Sequence, residues 1–371
     1  MSLGNKANCL KELVKLGINV PKFAVIPAEM IKPALKDKEA FKKYILQILE
    51  DNFDYYDLIS IRSSPVYSMP GMMDTILNVP ISLNIQIVAD HILNVYNSYY
   101  NVRAIKYREI KGLPDEPPSV ILQKMVFGDK NDESGSGIMF THNLVGQDIP
   151  LIEYKKKCQG DKLVNNQINH IDFINPPNKI CEELEEVRRV VLKHFRYPQD
   201  LEFTVEDNVL YILQTRRLWF GNRLDYEICN ALYKDGIITK DEFISDINII
   251  FKNKEFRYIE HANTDPIAKG VGVVGGIVEG TIGEDILFEN VLGNDDIEKL
   301  RNYKGVVTDE GGLTSHIAII CRNLNIPYII CKEDISGYVI MDGYSGNFYE
   351  KDSVTIINLT KEKVCAALMD L

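Results

Sequence analysis

The residues best suited to chemistry in this 371-residue chain fall into three groups. The first is a single histidine, His316, inside Gly311-Gly312-Leu313-Thr314-Ser315-His316-Ile317-Ala318-Ile319-Ile320. The glycines free the chain to turn, Thr314 or Ser315 can cap a helix, and the isoleucines supply its buried face, which puts His316 in the first turn. The positive end of a helix disfavours imidazolium, so the ring stays neutral and nucleophilic, and the free amides there can hold a phosphoryl group. A histidine so placed can equally be an inert, partly buried residue, and the pattern alone leaves both readings open.

The second group is a set of cations far apart in sequence: Lys6 shortly after Gly4, Arg62 at the end of the apolar run "DLISIRSS", and Arg216 at the end of "VLYILQTR". Most lysines and arginines are solvated surface charges. Arginines at the ends of apolar strands are also what a polyphosphate site needs, because guanidinium grips oxyanions through two parallel hydrogen bonds. The third group is Asp200-x-Glu202 on one strand and Gln214-x-Arg216 on the next. Period two places each pair on one face of its strand. If the faces coincide, two carboxylates, an amide oxygen and a guanidinium converge, and Glu202 with Gln214 suits Mg²⁺, which takes few protein oxygens and completes its shell with phosphate and water. A cross-strand salt bridge on a solvated face fits the same pattern.

Elements that position these residues are legible in the periodicity. Residues 6–16 and 84–112 repeat as helices, and 180–196 is the clearest amphipathic helix. The runs "DLISIRSS" and "PPSVILQKMVFG" read as strands, and "DLEFTVEDNVLYILQTR" as strand, turn, strand about Asp207-Asn208. The polar stretch "DKNDESGSGIMF" between apolar runs predicts a hairpin. Pro70 and Gly71 make "SMPGMMDTILNV" a loop, and "EFRYIEHANTDPIAKG" is polar enough for an interdomain linker. From 270 to 349, glycine-bounded short strands surround one helix.

Length predicts roughly two to three domains. A net charge of −11 argues against nucleic acid and anionic membranes as partners, and an anionic substrate then requires cations concentrated in a cleft. No apolar run approaches the ~20 residues that cross a bilayer, and the start lacks the form of a signal peptide, so a cytoplasmic location is expected. The seven cysteines are scattered with no C-x-x-C, which indicates reduced, structural thiols. Gly270-Val271-Gly272-Val273-Val274-Gly275 fits G-x-G-x-x-G, but a linker precedes it and β-like residues follow, so it reads as a glycine-rich turn.

Together these residues resemble the pyruvate phosphate dikinase and phosphoenolpyruvate synthase family. "TDEGGLTSHIAIICRNLNIPYIIC" is similar to its phosphohistidine signature, "ISIRSSPVYSMPGMMDTILNV" to its strand and methionine-rich loop, and "VILQKMVFG", "SGSGIMFT" and "DLEFTVEDNVLYILQTR" to its ATP-grasp strands, in the family's order. The resemblance implies an α+β or α/β multidomain protein, an ATP-grasp fold followed by a swivelling β/β/α phosphohistidine domain. It implies that Lys6, Arg62 and Arg216 bind ATP phosphates, that Arg103 adds another phosphate-site arginine, that Asp200 lies in the nucleotide site, and that Glu202 and Gln214 hold Mg²⁺. It also implies that the loop Gly71-Met72-Met73-Asp74-Thr75 closes over the phosphates, that Gly311, Gly312, Thr314 and Ser315 support the histidine, and that His316 is phosphorylated, with AMP the eventual nucleotide product.

The expected divisions are 1–218 for the ATP-grasp domain, 219–262 for a helical connector, 263–355 for the phosphohistidine domain and 356–371 for a tail, with the hinge between 256 and 269. The family's barrel for phosphoenolpyruvate or pyruvate is expected to be absent, since the chain ends soon after Tyr349. "THNLVGQ" puts His142 where the family has arginine, and "CQGDKLVNN" matches an acidic segment only in part. Two functions are therefore carried forward. One is an ATP-dependent phosphotransferase that passes the group from His316 to pyruvate on a separate barrel subunit or to a small-molecule acceptor; the other is a non-catalytic nucleotide-binding regulator of the same descent. Oligomeric state is left open.

Overall fold

Apolar residues at period two and period 3.6 build the first part of the chain into two four-stranded antiparallel sheets, each backed by helices. The computed structural model describes residues 3–35, 37–69, 71–142, 149–164, 175–220, 223–252, 255–293, 296–313 and 315–364. After helix α1 (Asn5–Lys15) come β1 (Phe23–Ile26), the short α2 (Ala28–Ile31), α3 (Lys38–Asn52), β2 (Leu58–Ser64), β3 (Thr75–Pro80), α4 (Ile85–Asn97), α5 (Val102–Lys111) and β4 (Ser119–Lys124). The first sheet runs β1-β4-β2-β3. Asp37 caps α3 by accepting from the Ala40 amide at 3.0 Å, and Phe41, Ile45 and Leu49 recur at four-residue spacing on its buried face. With Val88, Ile92 and Val95 of α4 they cover Ile59 and Ile61 of β2. That leaves the opposite face of β2, with Arg62, free for a site.

The second sheet contains β5 (Gly135–Phe140), β6 (Leu151–Lys156), β7 (Gln199–Glu206) and β8 (Val209–Arg217) in the order β6-β5-β7-β8, with the short α6 (Gly160–Val164) nearby. Helix α7 (Asn178–Phe195) lays Ile180, Leu184 and Val191 against it, together with Ala7, Leu10 and Leu13 of α1. The β7–β8 turn has Asp207 and Asn208 at φ of 52° and 62°, the doubly left-handed two-residue turn that matches strand twist. The hairpin expected across 129–140 does not form. β4 pairs with β1 and β2, whereas β5 pairs with β6 and β7. Two apolar runs flanking a polar turn show that strands are near in sequence but not that they share a sheet, and here the turn carries the chain from one sheet to the other.

Helices α8 (Arg223–Lys234) and α9 (Lys240–Ile250) follow, the latter opened by a capping box between Thr239 and Glu242. The next stretch departs from expectation. Residues 256–269, read as a linker, are largely strand: β9 (Phe256–Ala262) and the two-residue β10 (Ala268–Lys269). β9 pairs antiparallel with β18 (Val354–Leu359), so residues 356–359 of the expected tail are strand as well. The polarity of "EFRYIEHANT" reflects one open face of a two-stranded ribbon.

Beyond it lie β11 (Val271–Val274), β12 (Ile277–Thr281), β13 (Ile286–Glu289), the short α10 (Ile297–Leu300), β14 (Gly305–Thr308), α11 (His316–Leu324), β15 (Tyr328–Ile330), β16 (Tyr338–Asp342) and β17 (Asn347–Tyr349). They form two sheets, β10-β17-β16-β12 and β11-β15-β14-β13, the second mixing parallel and antiparallel pairs. Ile317, Ala318, Ile320 and Cys321 bury α11 against that second sheet. Among the described residues no helix is long and apolar enough to cross a membrane.

One buried ion pair fastens the α8–α9 segment to the second sheet. Arg217, at the end of β8, lies between the rings of Tyr197 and Trp219 at 3.6 and 3.8 Å and donates to both oxygens of Asp246 on α9. Asp246 is buried and also accepts from the Tyr197 hydroxyl at 2.6 Å. Removing one partner of such a pair strands the other, so Asp246→Ala is expected to lower unfolding free energy by about 3 kcal/mol, seen as a lower urea midpoint. An unchanged midpoint would refute this assignment of the anchor.

Candidate active site

The two antiparallel sheets close on a cleft of about 600 Å³. Its walls are Ser60, Arg62 and Ser63 of β2, Thr75 and Leu77 of β3 and Gln123 of β4 on one side, with Gly137 of β5, Glu202 and Thr204 of β7 and Leu213–Arg216 of β8 on the other. The first turn of α1 adds Asn5 and Lys6, and the rim carries Gly71, Met73, Asp74 and Arg103. This is the clasp expected of an ATP-grasp domain, and it gathers Lys6, Arg62, Arg103, Glu202, Gln214 and Arg216 from positions up to 210 residues apart.

Local chemistry explains how Lys6 reaches Arg62. Gly4 caps α1 at φ 79°, and a Cβ there would sit 2.0 Å from the Ser64 carbonyl oxygen. The Ser64 hydroxyl accepts from the Ala7 amide at 3.1 Å and donates to the Leu3 carbonyl at 3.0 Å, and the Asn5 amide donates to the Pro65 carbonyl at 3.0 Å. The start of α1 is thus laced to the end of β2. Lys6, amid Arg62 and Arg216, is pulled down to a pKa of about 8, first by burial and then by Arg62, with Glu202 opposing.

Arg62 spans the cleft. One guanidinium nitrogen donates to Gln123 Oε1 at 2.9 Å and to the Leu213 carbonyl at 3.2 Å; the other reaches Gln214 Oε1 at 3.2 Å and Glu202 Oε2 at 3.4 Å. Glu202 and Gln214 face each other across the β7–β8 ladder, and two residues on Asp200 faces Arg216. The Arg216 Nε donates to the Asp200 oxygens at 2.8 and 2.6 Å. A cross-strand ion pair thus exists on these strands, on a buried rather than a solvated face, and beside it sit a carboxylate and an amide oxygen within reach of one guanidinium nitrogen. Burial pushes Asp200 up to about 6 despite Arg216. Asp200 stands behind the wall and acts on the cleft through Arg216.

Glu202 Oε2 and Gln214 Oε1 both lie within reach of one guanidinium nitrogen, so a cation larger in charge and smaller in radius can take the same place. Among the described residues no group of three or more His, Cys, Asp or Glu is set to hold a metal. The pair therefore fits Mg²⁺ only as the protein's share of a shell completed by phosphate and water oxygens.

The rim loop is tied to its neighbours. Gly71 has φ 69°, Arg103 donates to Asp74 Oδ1 at 2.6 Å, and the Asp74 amide donates to Ser98 Oγ at 3.0 Å. On the second unit, Gly311 and Gly312 are buried, the Ser315 amide donates to the Gly312 carbonyl at 3.2 Å, and the Ser315 hydroxyl caps α11 by accepting from Ala318 at 3.2 Å. His316 is the first residue of α11. Thr314 and the imidazole of His316 lie outside the described residues. Three residues on, Ile319 lines the nucleotide-side cleft, so the helix that begins with His316 is packed on it.

Sequence reading missed two contributors. Gln123, the one polar side chain buried within "VILQK" of β4, holds Arg62; a polar residue inside an apolar strand was the available signal. Arg322 is buried, donates to the Leu313 and Val273 carbonyls at 2.7 and 3.2 Å, and stands 5.2 Å from the Phe140 ring of β5. Burial lowers it to about 10, and nearby Asp200 and Glu153 oppose that shift. Nothing in the sequence pairs α11 with β5. His142, where arginine was expected, keeps its Nδ1 3.2 Å from Thr141 Oγ1 and does not line the cleft.

An ATP-grasp clasp followed by a unit presenting a histidine-led helix defines the class. Residues 38–173 match the family described as pyruvate phosphate dikinase, AMP/ATP-binding domain, and residues 282–346 match the PEP-utilising enzyme mobile domain. Pyruvate, phosphate dikinase of Clostridium symbiosum is 28% identical over 70% of this chain and 35% of its own length, and that of Entamoeba histolytica 23% identical over 90% and 52%. A protein named as a probable phosphoenolpyruvate synthase from Archaeoglobus fulgidus is 25% identical over 84% and 48%. The chain thus matches two domains of pyruvate phosphate dikinase and phosphoenolpyruvate synthase in order, and it spans between about a third and half of the length of these relatives. Among solved structures, a D-alanine–D-alanine ligase from Helicobacter pylori covers 58% of this chain and 54% of its own at 12% identity and a TM-score of 0.32, a faint likeness on which nothing here rests.

The depressed Lys6 gives the cleft a pH signature. Its charge is present below about 8 and is lost above, and a bound polyphosphate favours the charged form. Mg-ATP affinity is therefore expected to be flat between pH 6.5 and 7.5 and to fall above pH 8, approaching tenfold per unit, with proton uptake on binding. Calorimetry in buffers of different ionisation enthalpy checks this. Lys6→Met should bind more weakly and lose the decline; a decline that persists in the variant assigns it elsewhere.

Proposed function

We propose that the chain is an Mg-ATP-dependent phosphotransferase that phosphorylates its own His316. The observation that carries this reading is the packing of the His316 helix on the same cleft that collects Lys6, Arg62 and Arg216 around the Glu202–Gln214 pair. Phosphoryl transfer asks little covalent help of a protein beyond positioning and charge neutralisation. In this reading residues 1–218 bind the nucleotide, 219–262 connect, and 263–355 carry the histidine.

Lys6, Arg62 and Arg216 hold the phosphate oxygens, and Arg103 with the loop Gly71, Met73, Asp74 and Thr75 closes the rim. Glu202 and Gln214 would hold Mg²⁺, which when bound would supply neutralisation of the charge that develops on the phosphate chain. Arg62 then trades its contacts with those two oxygens for phosphate, which is why it must sit within reach of both. The imidazole, kept neutral at the helix start, attacks phosphorus; the N–P bond forms as the bond to the nucleotide oxygen breaks. Buried Arg322 braces the chain just before His316 through the Leu313 carbonyl. AMP is the expected nucleotide product: attack falls on the β-phosphorus and breaks its bond to the AMP oxygen, which leaves a pyrophosphoryl group on the imidazole, and transfer of its outer phosphoryl group to phosphate or water leaves phosphorylated His316. Pyruvate held by a separate barrel subunit, or a small-molecule acceptor, then receives the group from His316.

Incubation of the full chain with Mg-ATP should add acid-labile phosphoryl mass, and His316→Ala should abolish it. Glu202→Gln and Arg62→Ala should each slow labelling at least about 100-fold, as loss of a charge-stabilising group does. Binding of Mg-ATP with no labelling of the wild type and no AMP would instead establish a nucleotide-binding regulator.

A further inference from the structure

We infer that helix α5 is a strut between the phosphate loop and the histidine helix, and that Lys111 at its far end is a positioning residue that seats α11 on the nucleotide cleft. The inference deepens the reading of His316 as the phosphorylated residue and rests on it for its kinetic arm. At its near end α5 is fastened to the loop. Asn101 caps it by accepting from the Ala104 amide at 2.7 Å and donates to the Met72 carbonyl at 3.1 Å, while Arg103 holds the Asp74 carboxylate. Ten residues of helix then span about 15 Å.

At its far end the Lys111 ammonium donates to the backbone carbonyl of Asn323, in the last turn of α11. The last four carbonyls of a helix have no partner within it, and that end carries partial negative charge. The amide of Asn325 serves the Cys321 and Arg322 carbonyls; the Asn323 carbonyl is met from the other unit by a cation. Lys111 is half-buried, and that desolvation lowers its pKa, so the contact is partly shielded from water, where a charged hydrogen bond counts for more. Midway along α5, Lys106 pairs with Glu298 in α10, an exposed contact of small worth. Lys111 does not line the cleft, so its effect runs through α11, whose Ile319 does. A loop that orders around phosphates thereby steadies, through one rigid helix, the helix that starts with His316.

The test uses the full chain, with Lys111→Met and Lys111→Arg. In Lys111→Met, amide exchange within residues 316–324 should quicken, Mg-ATP affinity should stay within about twofold, and the rate of His316 labelling at saturating Mg-ATP should fall about tenfold, the scale of a charged hydrogen bond lost. Lys111→Arg should restore most of the rate. Unchanged exchange and rate in Lys111→Met would overturn the strut, as would a fall in affinity that accounts for the whole loss. If the wild type takes no label, the assignment of His316 falls while the exchange comparison still decides the strut. Should Lys111→Met not fold, Lys111→Gln, which keeps most of the stem and a neutral donor, should quicken exchange and slow labelling in the same direction by a smaller factor; unchanged exchange and rate in Lys111→Gln would count against the strut.

Discussion

Arg62 is the contact on which the cleft depends. Its guanidinium, only 14% exposed, ties the two sheets through Gln123 on one and Leu213, Glu202 and Gln214 on the other. A charge this far from water is tolerable because acceptors surround it. The same need governs its neighbours. Glu202 partly offsets Lys6 and Arg62, Asp200 offsets Arg216, and the residual cost appears as a lysine pulled down and an aspartate pushed up. A chain with net charge −11 thus builds a local surplus of cations from residues contributed by α1, β2 and β8. A polyanion relieves the mutual repulsion of those cations, so the cleft is organised for a ligand of opposite sign.

Much of this was readable before any coordinates. Period-two spacing puts Asp200 with Glu202, and Gln214 with Arg216, on one face of each strand, and the tight Asp207-Asn208 turn sets the β7–β8 register as far as Phe203 and Ile212; the bulge that skips Leu213 and brings Gln214 opposite Glu202 has no signal in the sequence. His316 was placed at a helix start by the residues that cap and bury that helix. Contacts across long separations were not readable in the same way. Nothing local in "VILQK" says that Gln123 meets Arg62, and nothing in "HIAIICRN" says that Arg322 meets β5. Pairing of strands failed for a related reason: the alternation of a strand records which side is buried, and β4 and β5 are buried on sides that belong to different sheets.

The correction at 256–269 changes how motion between the units is to be pictured. The polarity of this stretch reads as an irregular linker, yet β9 is paired along its length with β18. Phe256, which opens β9 opposite Leu359, and Val364, five residues beyond β18, pack into the same cluster as Cys229 and Phe243 of the connector helices. The second unit is therefore joined to the first by two chain segments side by side. Bending a paired ribbon requires breaking ladder hydrogen bonds, whereas a single extended strand bends freely. Rotation of the unit is cheapest where pairing stops, between residues 263 and 267, with 350–353 alongside. Asn263 still donates to the Ser353 carbonyl at 2.8 Å, which marks the edge of the stiff part.

A hinge of that kind limits direction more than distance. Two parallel connections resist twisting about the ribbon axis but permit folding across its face, so the histidine unit would move through one arc and return to the same seat. That restriction matters for a reaction in which in-line geometry must be recovered at every turnover. Three cationic contacts stand at the seat: Lys111 on the Asn323 carbonyl, Lys106 on Glu298, and Arg322 beside Phe140. An interface held by a large apolar patch would be too stable to release, and one with no charged contacts would not distinguish one angle along the arc from the next. A handful of cations placed against a helix end and a ring give a seat that is specific in position and cheap to leave.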